Sequence, residues 1–104
     1  MIIQLNTDKN ITASEELRVP LIALISQELD RYSQHITRLE VHLSDENGPK
    51  DGLNDIRCLL EARLEGRQPI VVTKNANTLE QAVQGALEKL TTSLNTIVGR
   101  LRNH

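Results

Sequence analysis

The chain has 104 residues, 38% of them hydrophobic, with twelve Lys or Arg against fourteen Asp or Glu and a formal net charge of −2. That length predicts one domain over 1–104 with a core that needs neither disulfides nor metal, and the charge excludes a whole-molecule attraction for nucleic acid or an anionic membrane. The single cysteine, Cys58, excludes an internal disulfide, and the single aromatic residue, Tyr32, excludes the stacking platforms on which single-strand binders hold bases.

The N-terminus has neither the basic start nor the apolar run of a secretion signal, and no stretch approaches the ~18 apolar residues of a membrane span, so a soluble cytoplasmic protein without a membrane partner is expected. Ile2 to Thr7 alternates around Ile3 and Leu5 and ends in the polar turn Asp8, Lys9, Asn10, which predicts a first strand. Thr12 or Ser14 then caps a helix of about five turns carrying Leu17, Leu21, Leu24, Ile25, Leu29 and Tyr32 on one side. Pro20 inside this pattern removes a backbone donor, so the helix is expected to kink there or to have a loose first turn.

From Thr37 to Ser44 the period changes to two, with Leu39, Val41 and Leu43 opposite Arg38, Glu40 and His42. The segment SDENGPKDG over 44–52 contains no apolar residue and predicts an exposed loop between two strands. Ile56, Cys58, Leu60, Ala62 and Leu64 alternate with Arg57, Leu59, Glu61, Arg63 and Glu65 in the clearest strand of the chain, with Cys58 on its apolar side as an inert, buried thiol. Gly66 to Pro69 turns the chain into a last strand, Ile70 to Lys74.

The final stretch, Asn77 to Arg102, places Leu79, Ala82, Val83, Ala86, Leu87, Leu90, Leu94, Ile97, Val98 and Leu101 at helical spacing. They cover an arc of about 160°, wider than a coiled-coil seam, so this helix is expected to lie on a sheet. Asn77 or Thr78 caps its start, and Arg100 and Arg102 complement the dipole at its end. The order β-α-β-β-β-α predicts an α+β fold: a right-handed crossover makes the first two strands parallel, a meander follows, and both helices cover one face of a four-stranded mixed sheet. The other face should be a solvated surface of cross-strand charge pairs.

In this order and spacing the chain resembles the ribosome hibernation-promoting factors, a family that includes the ribosome-associated inhibitor of stalled or resting ribosomes. The likeness is carried by NITASEELR at the entry to the first helix, the strand RLEVHL, the strand IRCLLEARLEG with its turn, and ANTLEQAVQGALEKLTTSLN at the start of the last helix. It implies a ribosome-associated translation regulator whose partner is the small ribosomal subunit, held in the messenger and transfer RNA channel by helix lysines and arginines against ribosomal RNA phosphates. On this chain the cations that remain are Lys89, Arg100 and Arg102 on the last helix and Arg18 and Arg31 on the first; Lys89, Arg100 and Arg18 lead, and Arg31, Arg38, Lys74 and Arg67 form a second group. Lys89 and Arg100 share one edge of the last helix, and Arg18 would approach them if the helices run side by side. Where relatives place lysines along the first helix, this chain has Ile22, Ala23, Leu24 and Gln27, and TTSLNTIV replaces a lysine-rich run in the last helix. Fewer cations mean weaker and less salt-sensitive RNA binding. Longer relatives carry a further C-terminal domain that pairs ribosomes, and a chain ending at His104 is expected to be a short form.

His35 and His42 have no cysteine or carboxylate at ligand spacing, and no nucleophile is tied to a base, so no enzyme activity, metal, cofactor or small-molecule substrate is expected. Gly85 and Gly99 fall on the polar side of the last helix, Gly85 either as a tolerated helix glycine or as a point of close approach. The alternative function is a protein-interaction module, a homodimer among its forms, that keeps the fold and has lost the RNA surface. Val19, Ile22, Leu59 and Val71 are the apolar excess that would serve it. Double-stranded RNA binding by shape would need a basic loop and helix start that the chain lacks.

Overall fold

In a computed structural model the chain runs β1 (Ile2–Thr7), α1 (Glu15–Glu28), β2 (Ile36–Asp45), β3 (Ile56–Leu64), β4 (Ile70–Ala76), α2 (Leu79–Arg102), the order expected from the sequence. It describes residues 1–46 and 55–102, the last three as backbone only. The sheet order is β1-β2-β3-β4, with β1 parallel to β2 and the other pairs antiparallel. The α+β architecture with a four-stranded mixed sheet is therefore the observed one.

Register explains the burial. Leu5 pairs with Val41, Val41 with Leu60, and Leu60 with Val72, so the alternating apolar sets of all four strands point to one side. There they join Leu21 and Ile25 of α1 and Ala82, Val83, Ala86, Leu87, Leu90 and Leu94 of α2 in one core. α2 packs on β3 and β4, and α1 packs on β1 and on α2. Depressions between the helices line up Leu17 and Pro20 with Leu79 and Glu80, and Glu28 with Leu87, Glu88 and Thr91. Positions rise together along both helices, which therefore run parallel, side by side.

Local chemistry sets the helix limits. The Ser14 hydroxyl accepts from the Leu17 amide at 3.3 Å, and the Thr78 hydroxyl accepts from the Gln81 amide at 3.1 Å, so Ser14 and Thr78 are the caps. α1 passes through Pro20 without a break and ends at Glu28, four turns rather than five. The chain then tightens into a 3-10 turn over Asp30–Tyr32, which carries Tyr32 into the core off the helix proper. The Tyr32 hydroxyl donates to Asn95 Oδ1 of α2, the partner that a buried phenol requires.

β2 starts one residue before its predicted first residue because of a bulge between Ile36 and Arg38. With one extra residue there, Ile36 and Leu39 both face the core, 1% and 0% exposed, while the Thr37 hydroxyl donates to the Arg63 carbonyl at 3.0 Å. β2 runs to Asp45, one residue past its predicted end; Glu46 follows with its amide donating to the Asp55 carbonyl at 2.8 Å, and residues 47–52 of the predicted loop lie outside the described residues. Gly66, at φ 71°, makes the turn after β3 in a conformation that a side chain would strain.

The core position of Leu90, 0% exposed, predicts that Leu90→Ala destabilises the fold by about 2–5 kcal/mol, whereas Val19→Ala, on an exposed helix surface, changes it by about 0.5 kcal/mol or less. Urea unfolding of the two variants measures the contrast.

Candidate nucleic-acid interface

Strand alternation and helix periodicity determine where each cation emerges. On α2, Lys89 lies on the edge that overhangs β4, and its ammonium donates to the Thr73 carbonyl at 2.7 Å. Lys74 sits at an inward register position of β4, opposite Cys58, yet is exposed. Its aliphatic stem escapes along α2 past Gly85, where a β-carbon would come within 2.7 Å of Lys74 Cγ. Gly85 is thus a point of close approach, with Lys74 of the same chain as the group that approaches. Lys74 and Lys89 bring two cations to the β4 edge of α2.

The first-helix cations go elsewhere. Leu17, Pro20 and Leu24 face α2, and Arg18 lies about 100° further round α1 than Leu17, turned away from α2. It is also level with the start of α2, whereas Lys89 is ten residues further along, so the expected approach of Arg18 to Lys89 does not occur. Arg31, in the 3-10 turn, stacks over the Tyr32 ring at 4.9 Å from its centre and donates to Asn95 Oδ1 at 3.4 Å. Arg100 and Arg102 belong to the last turn of α2, and their side chains lie outside the described part. Lys89, Arg18 and Arg31 therefore occupy three separate edges of the helical layer.

The open sheet face is mixed in sign. Glu40 and Glu61 stand directly across the β2–β3 ladder, an unfavourable pairing that Arg63 relieves at 3.5 Å and 3.4 Å, with Arg38 at 3.8 Å from Glu40. Arg38 also donates to Gln4 on β1. The hydrogen bond with the Glu61 carboxyl, and after it the charges of Arg63 and Arg38, hold Glu40 below the usual carboxylate range against the opposing effect of desolvation. Arg57 on this face has no ion-pair partner among the described residues. Val71 and Leu59 share the face, while Val19 and Ile22 are on α1, so the apolar excess noted in the sequence is split between two sides of the molecule.

Nothing in this arrangement activates a nucleophile. Burial pushes the Cys58 thiol up to about 12, far from thiolate at neutral pH. His42 is exposed on the open face and His35 half-buried near Arg67, and no cluster of His, Cys, Asp or Glu suited to a metal occurs among the described residues. No helix among them is long and apolar enough to cross a membrane.

Two features were not anticipated from the sequence. Asn95 receives Tyr32 and Arg31 together, and the only hint was that a lone tyrosine on an apolar stripe must satisfy its hydroxyl. The Lys74–Gly85 contact was signalled by a lysine at the inward parity of a strand and a glycine on the facing edge of a helix.

Comparison with known proteins decides the relationship. The model of the family described as Sigma 54 modulation protein / S30EA ribosomal protein matches residues 6–102. The chain belongs to this family. As a member of a ribosome-associated family it shares its fold with the Protein Y N-terminal domain from Thermus thermophilus, at 21% identity and TM-score 0.74, covering 93% of this chain and 99% of that one. A ribosomal subunit interface protein from Coxiella burnetii is similar at 19% identity and TM-score 0.71, covering 95% and 99%. No curated protein sequence matches.

Two measurements check this geometry. Glu40 has a lowered folded value, so its contribution to stability is present above the unfolded value of 4.5 and is lost as pH falls below it. Glu40→Gln should therefore flatten the loss of stability on acidification from pH 5, followed by urea midpoints at successive pH values. Gly85→Ala alone sets a helix gain of about 1 kcal/mol against displacement of the Lys74 stem. In a Lys74→Ala background the gain should appear in full, and a double-mutant cycle should give a coupling of about 0.5 kcal/mol or more.

Proposed function

We propose that this protein is a translation regulator that binds the small ribosomal subunit and holds ribosomes inactive under stress or slow growth. The observation that carries the reading is the family match over residues 6–102, which takes in both helices and nearly the entire sheet. The contacts are electrostatic: Lys89, Arg100, Arg102, Arg18 and Arg31 meet ribosomal RNA phosphates, and Lys74, beside Lys89 on the β4 edge, joins them. The protein acts in the cytoplasm by occupying its site, without covalent chemistry, cofactor or substrate turnover.

A second reading, a protein-interaction module on the same fold, draws on one observation. The depressions between the helices are lined by Glu16, Glu80, Glu28 and Glu88 and, among the described residues, by no lysine or arginine. The two readings differ in what they expect of salt.

Co-sedimentation with ribosomes from resting cells, repeated over a range of salt, separates them. Six phosphate contacts bound the salt dependence at a log–log slope of about −5.4. Lys89→Glu together with Lys74→Glu should weaken association and lower the slope by about two. Failure of the native protein to co-sediment at low salt would sink the ribosome reading.

A further inference from the structure

The surface where the two helices meet is acidic above an apolar floor, and this combination selects a partner of its own. Leu17, Pro20, Leu24 and Leu79 floor an open slot of about 370 Å³ between the first three turns of α1 and the start of α2, with the carboxylates of Glu16 and Glu80 on its rim. Further along the same seam a second depression of about 80 Å³ lies between Glu28 and Glu88. Glu80, Gln84 and Glu88 recur every four residues and form a single polar row along α2, with two carboxylates two turns apart and the neutral Gln84 amide between them. None of the four carboxylates is in an ion pair among the described residues. Among the described residues the cations of the helical layer do not line the seam: Lys89 reaches the β4 edge, Arg18 borders neither depression, and Arg31 donates to Asn95 beyond them.

From this charge pattern we propose that the α1–α2 seam is a docking groove for a basic amphipathic peptide segment of a protein partner. An aliphatic side chain of the segment enters the Leu17–Pro20–Leu24–Leu79 slot, and its lysines or arginines meet Glu16 and Glu80, then Glu28 and Glu88. The apolar slot supplies the anchor that a small contact needs, and the unpaired carboxylates steer and orient a cationic chain. From Leu79 to Thr91 the seam is about 18 Å long, the length of about twelve helical residues. The same carboxylates repel RNA phosphates, so the groove and the RNA contacts occupy different surfaces, and the proposal stands whether or not the protein binds ribosomes.

The probe is an amphipathic Lys/Leu peptide of about twelve residues, matched to the seam length, with its Glu/Leu counterpart and an oligouridylate of similar length as the other arms. On the full-length protein, the Lys/Leu peptide should shift amide resonances over Leu17–Leu24 and Leu79–Glu88 in NMR titrations, and the other two should leave them in place. Glu80→Lys with Glu88→Lys should weaken the peptide by about tenfold or more, and Leu24→Ala should weaken it with all charges intact. If the charge-reversed pair does not fold, Glu80→Gln with Glu88→Gln gives the same reading at smaller amplitude. Shifts that map outside the seam, an affinity within twofold for the charge variants, or displacement of the peptide from the seam by the oligouridylate would each overturn the proposal.

Discussion

The apolar stripe of α2 pressed on β3 and β4 is the constraint from which the rest of the molecule follows. Ala82, Val83, Ala86, Leu90 and Leu94 are buried along it, and the alternation of two small residues with larger ones lets the helix lie close to the sheet. Once α2 is seated, its remaining surface divides in two. One edge overhangs β4 and carries Lys89, and the other borders α1 and carries Glu80, Gln84 and Glu88. The electrostatic character of the helical layer is thus a consequence of packing, because the stripe leaves the polar residues no other place to emerge.

Much of this was legible in the sequence because it depends on periodicity. β1 has the predicted bounds, β3 shows the predicted alternation, and the α2 stripe is buried from Ala82 to Leu94, with Leu79, Ile97 and Val98 half-buried beside it. Features that depend on a single residue meeting a distant one were not legible. The bulge that turns Ile36 inward needs the β3 register, the buried Tyr32 hydroxyl needs Asn95 of α2, and the Lys74 path needs a glycine on another element. The candidate cations show the same limit: spacing along α2 put Lys89 and Arg100 on one edge, but only the parallel pairing of the helices shows that Arg18 is turned away from it.

Family membership and surface chemistry therefore speak to different links in the argument. The match over 6–102 speaks for the ribosome, while the seam between the helices has four carboxylates without an ion pair among the described residues, where a phosphate-binding surface would need cations. The open sheet face is no substitute, because its arginines are largely engaged in relieving the Glu40–Glu61 pairing. A positive surface wide enough to follow an RNA backbone would have to run along the β4 edge, through Lys74 and Lys89.

That edge has another duty. β4 is the last strand of the sheet, and the Thr73 carbonyl would face outward, ready to receive the amide of a foreign strand, if the Lys89 ammonium did not hold it at 2.7 Å. The Lys74 stem crossing Gly85 adds a second charge beside the same edge. Two charges therefore lie beside this edge strand, and charged side chains on an edge disfavour pairing with a foreign strand. Lys89 is thus at once a proposed phosphate contact and the cover of an edge-strand carbonyl.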